Sequence, residues 1–292
     1  MRYLDPKADL TFKKVFGEHK DLMKSFLNAL LPLSPDQEIE DLEYLTPELV
    51  PETPMKKHSI VDVRCRDIRG RHFIVEMQTF WNSGFEQRLL FNAAKAYVRQ
   101  LDRTDRYTTL QPVYALGLID AVPFPDLEDF YHVYRFAHER HADRAIPDLQ
   151  LVFIELPKFR PSSLSDRRMA VLWLRFLTEI NEHTRRVPEE LLDNPEVSKA
   201  LGIVEESAFD PAQLARYESF WDMVRVENTR YDSAFREGLN EGIAQGLEKG
   251  KAEGIAEGER EKALSIARQM RAAGLPAAEI EKFTGIGSDE LD

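Results

Sequence analysis

The spacing of hydrophobic and polar positions changes several times along this chain, and each change marks an element. From Asp5 to Leu31 apolar residues recur every three or four positions, which predicts two helical pieces. Phe12, Val15 and Phe16 form the apolar side of the first, with Asp9 or Thr11 as its cap and Gly17 as its stop. Met23, Phe26, Leu27, Leu30 and Leu31 form that of the second, which Pro32 ends. Pro32–Pro54 is proline-rich and acidic, with a first strand at Asp41–Thr46. Ser59–Thr79 then alternates with period two on both sides of the polar group Asp67–Arg71, the signature of a β-hairpin. Gly84–Arg103 returns to helical spacing through Phe85, Leu89, Ala93, Ala96, Tyr97 and Leu101. Pro112–Asp120 is a continuous apolar run between turn formers and reads as a strand buried on both faces; Phe130–Phe136 and Leu149–Leu156 supply two more strands. A helix between strands and a doubly buried strand together predict a mixed α/β sheet.

From Ser163 onward the pattern is helical over Asp166–His183, Pro188–Leu201 and Pro211–Thr229, with aromatic stripes such as Trp173 and Phe176 that read as core. The tail carries the one internal repeat, glycine at 238, 242, 246, 250, 254 and 258. On an α-helix a four-residue period drifts by about 40° per step, so these glycines trace a winding stripe beside Leu239, Ile243, Leu247 and Ile255. Each glycine costs about 1 kcal/mol of helix propensity against alanine. The tail is therefore expected either to be partly disordered in a monomer or to be a helix that mediates self-association. Lys262–Asp292 is expected to form two short helices broken at Gly274–Pro276. The expected organisation is a sheet domain over 1–160, a helical region over 161–231 packed on or beside it, and the tail over 232–292.

Composition changes the picture in three respects. A chain of 292 residues, 43% hydrophobic, has material for one good-sized domain or two small ones. No run approaches the ~18 apolar residues of a membrane span, Met1–Asp9 does not resemble a signal peptide, and a cytoplasmic location is expected. The single Cys65 excludes an internal disulfide and a cysteine-rich zinc site. The net charge of -12 argues against a generic nucleic-acid binder, so any nucleic-acid contact needs a local basic patch.

The candidate chemistry lies on the hairpin. Side chains alternate across a strand, so Val61, Val63 and Cys65 share one face while Ile60, Asp62, Arg64 and Arg66 share the other; on the return strand Ile74, Glu76 and Gln78 face together. With the turn centred near Arg69, Asp62 falls opposite Glu76. Two carboxylates about 5 Å apart repel and need a compensating cation, for which a hard divalent ion such as Mg2+ is the natural candidate. The Met77 carbonyl and the Gln78 amide would complete the oxygen shell or orient water. The competing reading is a solvent-facing polar surface on which Asp62 pairs with Arg64 or Arg66. Arg64, Arg66, Arg69, Arg71 and His72 would neutralise phosphates if they line a groove, or form a solvated hairpin tip; Lys56, Lys57 and His58 would add to the same charge or stay solvated. His132, His138 and His141 lack a partner acid at helical spacing and are set aside as metal ligands.

The thirteen residues between Asp62 and Glu76, with Gln78 two further on, resemble the PD-(D/E)xK nuclease core, with Val61 where that core has Pro and Gln78 where it has Lys. The E-x-Q ending, the opening DLTFKKVFG from Asp9 to Gly17, the run from Gln87 to Leu101 and the glycine-repeating tail are together similar to the recombination-promoting nuclease (Rpn) branch of PD-(D/E)xK transposases. The resemblance implies a restriction-endonuclease-like α/β fold, a mixed sheet flanked by helices and followed by a helical C-terminal region. It implies a metal-dependent DNA endonuclease with Asp62 and Glu76 on Mg2+ (or Mn2+), Gln78 in place of the usual Lys, and Asp9 assisting the metal. It further implies DNA as the partner, with Lys13 and Arg88 toward phosphate and Arg88 alternatively tying helix to sheet; Arg64 and Arg66 are expected at phosphate from the hairpin's own charge, and a homo-oligomer through the tail is expected from its glycine stripe. The alternative is a catalytically idle nuclease fold that self-assembles through Gly238–Gly258.

Overall fold

The computed structural model describes residues 2–49, 59–80, 83–102, 105–161 and 168–290. Lys56, Lys57 and His58 lie outside the described residues, as do Asp166 and Arg167 at the start of the helix expected over Asp166–His183. The chain forms two compact units, Met1–Glu227 and Asn228–Asp292.

Asp9–Phe12 (α1) passes into a π turn at Lys13–Gly17, and Lys20–Leu30 (α2) follows. Neither Asp9 nor Thr11 caps α1; the N-cap is Ala8, Asp9 begins the first turn, and the Thr11 hydroxyl donates back to the Asp5 and Ala8 carbonyls. The strands are Leu42–Tyr44 (β1), Glu48–Leu49 (β2), Ser59–Ile60 (β3), Val63–Asp67 (β4) and His72–Gln78 (β5). Phe85–Val98 (α3) crosses over to Val113–Ile119 (β6), and Tyr131–His138 (β7) turns into His141–Glu155 (β8). Arg168–Glu179 (α4), Glu189–Leu192 (α5) and Pro195–Ile203 (α6) complete the core, and Pro211–Ala272 (α7) and Ala277–Thr284 (α8) close the described chain.

The main sheet has the order β1-β4-β5-β6-β8-β7, with β5, β6 and β8 parallel and the outer pairs antiparallel; β2 and β3 pair separately. The fold is restriction-endonuclease-like α/β, a mixed sheet with helices on both faces. Strand alternation sorts the core into two layers. Val63, Cys65, Phe73, Val75, Leu116 and Ile154 pack with Phe16, Phe26 and Trp173 from α2, α4 and the π turn. On the other face Ile74, Val113, Ala115 and Phe153 pack against Phe85, Leu89, Ala93 and Ala96 of α3. The aromatic rings of Phe16, Phe26 and Trp173 stand 4.3–5.8 Å apart, tying the N-terminal helices to α4.

Three expectations are corrected. Val61 does not share the layer of Val63 and Cys65: it packs in the α3 layer, because the ladder breaks between β3 and β4 at Val61–Asp62 and the alternation restarts there. β8 begins at His141, well before Leu149, as one side of a long hairpin arm exposed on both faces, where no apolar alternation is required. The helix expected over Pro211–Thr229 does not stop; α7 runs through the glycine repeat, and the expected break comes at Gly274, at φ +86°. The hairpin turn before β5 is fixed by Gly70 at φ +82° and by Asp67, whose carboxylate accepts from the Arg69 and Arg71 backbone N–H groups.

Candidate active site

Asp62 sits at the break between β3 and β4, and Glu76 and Gln78 close the end of β5. The β4–β5 register pairs Val63 with Val75, so Asp62 comes beside the Glu76–Met77 step; its Oδ2 accepts from the Met77 backbone N–H at 2.6 Å. The other residues of the cavity, about 260 Å³ in volume, are Lys7, Asp9, Gln78, Thr79, Phe80, Arg88 and Phe220, together with Asp62, Glu76 and Met77.

Each carboxylate is held from a different element. Glu76 is buried; its Oε1 accepts from Asn92 Nδ2 at 2.7 Å and its Oε2 from Arg88 Nε at 3.3 Å, both on α3. Arg88 and Asn92 are four apart and so project from one helix face. The Arg88 Nη2 also donates to Gln78 Oε1, and the Gln78 Nε2 donates to the Phe80 carbonyl, so both ends of that amide are engaged. On the opposite rim Lys13 pairs with Asp9 and lies 4.0 Å from Asp62 Oδ1. Beneath the cavity the Lys7 ammonium is buried between Asp5 at 3.1 Å, Asp120 at 3.6 Å and the Leu177 carbonyl.

The electrostatics follow from this enclosure. Burial pushes the Asp62 carboxyl up to about 6; the Met77 N–H and Lys13 oppose the shift, and the nearby Glu76 and Asp9 charges add to it. Burial also raises Glu76 above its ordinary value, against the hydrogen bonds from Asn92 and Arg88. Burial of Lys7 works against its charge, yet the facing carboxylates of Asp5 and Asp120 hold its pKa above the usual lysine value. Asp5 in turn is raised, mainly by burial.

The structure thus brings Asp62, Glu76, Gln78, Asp9 and Arg88 to one cavity, with Lys13 beside it on Asp9 and Asp62. Arg64 and Arg66 lie further along β4. Arg66 pairs with Glu43, Arg69 bonds the Asp36 carbonyl, and Arg71 is buried on Asp67, whereas Arg64 pairs with no acid among the described residues. His138 and His141 face each other, exposed, across the β7–β8 turn, and buried His132 bonds Glu155 at 2.8 Å. Cys65 is a buried thiol that burial pushes up to about 12. Sequence reasoning missed Lys7, Asn92 and Phe220. Only Asn92 had a local signal, its four-residue offset from Arg88; the other two reach the cavity through tertiary packing.

Among the described residues no group of three or more His, Cys, Asp or Glu side chains is arranged to hold a metal ion. The donors at the cavity are the Asp62 and Glu76 carboxylates and the carbonyl of Met77, which follows Glu76, an all-oxygen set. That chemistry fits a hard cation that keeps several waters, and does not fit zinc.

A profile of PD-(D/E)XK nuclease family transposases matches residues 6–231. The chain belongs to that family. The match spans Asp9, Lys13, Asp62, Glu76, Gln78 and Arg88 and stops before the glycine repeat. Membership places the chain among nucleases linked to transposition, a family that generally uses divalent metal ions. No curated protein and no solved structure gives a match. No helix among the described residues of this PD-(D/E)XK protein is long and apolar enough to cross a membrane.

Proposed function

We propose that this chain is a metal-dependent DNA endonuclease that hydrolyses phosphodiester bonds during transposition or recombination, with Asp62 and Glu76 as ligands of Mg2+ or, as a substitute, Mn2+. The observation that carries the reading is the pair of partly desolvated carboxylates, both raised in pKa, facing one small cavity lined by Arg88, with Lys13 4.0 Å from Asp62. Carboxylates buried together in this way favour a proton or a cation, and at neutral pH a divalent ion satisfies both. Such an ion supplies Lewis acidity at the phosphoryl oxygen and an acidified water.

The chain's own residues supply the rest. The Met77 N–H fixes the Asp62 carboxylate, while Asn92 and Arg88 fix Glu76, so that neither reorganises on binding. Gln78 cannot carry the charge of the usual lysine; it holds Arg88 instead, and that guanidinium takes over the facing of the scissile phosphate from the α3 side. Lys13 faces it from the other side, and Asp9 holds Lys13 there. Arg64 extends the phosphate contact along β4; Arg66 would join it only by leaving Glu43. The tail is proposed to join copies of the chain, supported by Phe235, Leu239, Ile243, Leu247 and Ile255, all exposed on α7. A cytoplasmic location suits a DNA-cleaving protein with one buried thiol.

The test is cleavage of supercoiled plasmid with Mg2+, Mn2+ or EDTA by wild type, Asp62→Ala and Glu76→Ala. We expect nicking that needs the metal and falls more than about a hundredfold in both variants, beyond the loss typical of an outer-sphere partner. A folded wild type that cleaves with neither metal overturns the reading in favour of the idle assembly module.

A further inference from the structure

The α3 face of the central hairpin carries positive charge that the cavity does not use. Arg64 lies on β4 opposite Ile74, and Arg66 opposite His72, so Arg64, His72 and the Glu76 side chain project from the same side of the sheet. α3 runs back along that side: Asn92 bonds Glu76 near its middle, Ala96 packs in the layer of Ile74 and Val113, and Arg99 caps its C-terminus. The next residue, Gln100, exchanges two hydrogen bonds with the Gln111 backbone, and the Pro112 carbonyl accepts from the His72 N–H at 2.9 Å. These bonds bring the end of α3 beside the start of β5, where Arg64 and His72 stand.

The polar atoms there are unsatisfied. Arg64 Nε and His72 Nδ1 are buried and make no hydrogen bond among the described residues. Neither Arg64 nor Arg99 has a carboxylate within ion-pair distance among the described residues, in a chain with 51 acidic side chains against 39 Lys and Arg. Such a chain has ample means of neutralising two neighbouring guanidiniums. The neighbouring guanidiniums repel one another, and burial, then Arg64 and Arg66, hold the His72 imidazole neutral, with its pKa lowered to about 4. An anion arriving between them relieves that repulsion and accepts the stranded donor.

We propose that Arg64 and Arg99, together with the His72 imidazole, form a phosphate-binding subsite that holds the DNA backbone beside the scissile bond. Two strand residues separate Arg64 from Asp62, about 7 Å, and seven helical residues separate Arg99 from Asn92, about 10 Å. Separations of that size reach a near neighbour, along the same backbone, of the phosphate at Asp62 and Glu76. The subsite rests on the DNA reading above. It explains how a chain of net charge -12 grips a polyanion: Arg99 ends the same helix that carries Arg88, and Arg64 stands on the neighbouring strand, so the positive charge is gathered on one side of the sheet.

Binding of a short labelled DNA duplex, followed by fluorescence anisotropy in EDTA over a range of salt, tests this without requiring cleavage. Arg64→Met retains the aliphatic stem, Arg99→Ala lies at a half-exposed helix end, and Arg186→Ala, which removes an exposed partner of Glu189, is the control. We expect Arg64→Met and Arg99→Ala each to bind several-fold more weakly and to reduce the slope of log affinity against log salt by about one, the pair by about two, with Arg186→Ala unchanged. Arg64→Lys should keep the wild-type slope. Wild-type slopes in both Arg64→Met and Arg99→Ala overturn the subsite alone. A wild-type chain that binds no DNA overturns the DNA reading itself and the subsite with it.

Discussion

Asp62 is the residue where enclosure and charge meet, and its raised pKa has a definite sign. A carboxyl whose folded-state pKa lies near 6, above the 3.8 of the free group, favours the fold while protonated and loses that contribution as pH rises toward and through 6. Glu76 is shifted in the same direction. The metal-free chain is therefore expected to melt at higher temperature at pH 5 than at pH 7.5, by at most a few degrees since Asp62 is 26% exposed. Asp62→Asn should flatten that dependence, and a divalent metal added at pH 7.5 should recover the lost stability by binding only the folded chain. Scanning calorimetry at the two pH values decides it; a melting temperature that rises from pH 5 to 7.5 removes the case for two carboxylates awaiting a cation. A second expectation concerns Gln78. Because its amide oxygen accepts from Arg88, Gln78→Lys sets two cations together and should lower plasmid cleavage roughly tenfold or more, while Gln78→Lys with Arg88→Ala should recover much of it. No recovery in the double variant means that Arg88 does not stand in for the lysine. The opposition of Asp62 and Glu76 was legible in the chain because a four-residue turn around Arg69 fixes the register once its position is known. Lys7 and Phe220 were not, since no periodicity records which residue a fold brings beneath a cavity.

At the scale of the elements, the cavity depends on how closely α3 lies on the sheet. Gly117 of β6 is the register partner of Glu76, and a Cβ there would stand 2.9 Å from a Phe85 ring carbon and 3.1 Å from Leu89 Cδ2. The glycine thus allows the turn of α3 that carries Arg88 to approach the strand end that carries Glu76. Gly117→Ala should push that turn outward, costing about 1–3 kcal/mol of stability and weakening cleavage as Arg88 and Asn92 lose their reach to Glu76. Denaturant unfolding and the plasmid assay read the two effects; an alanine variant as stable and active as wild type means that the ring pivots aside. This close approach was hidden in the sequence, where PVYALGLID shows only an uninterrupted apolar run. That run did reveal burial on both faces, and the helical period of Phe85–Leu101 revealed the crossover that covers one of them. The β7–β8 arm was harder to read, because its exposed strands carry charged and polar residues on both sides and leave the alternation without a hydrophobic phase.

For the whole molecule, the open question is what holds six glycines in a helix. Beyond the helix's own neighbouring backbone, no heavy atom among the described residues lies within 4 Å of a Cβ built on Gly238, Gly242, Gly246, Gly250, Gly254 or Gly258, so no tertiary contact there compensates their propensity cost. Leu239, Ile243 and Leu247 beside them are more than half exposed. In an isolated helix each replacement of glycine by alanine should stabilise by about 1 kcal/mol, since nothing is in the way. In a pair of helices whose backbones meet along the glycine stripe, the same methyl groups hold the helices apart. The triple variant Gly242→Ala/Gly246→Ala/Gly250→Ala separates the two cases by sign: helicity rises in either, but self-association falls only if the stripe is the contact. With the tail joining copies of this chain, we expect circular dichroism to show more helix and sedimentation equilibrium to show a dissociation constant raised at least about tenfold, equivalent to about 1.4 kcal/mol. Unchanged or tighter association would place the contact on the Leu239–Ile243–Leu247 stripe instead, and a monomeric wild type would leave the repeat as a helix without a partner of its own kind.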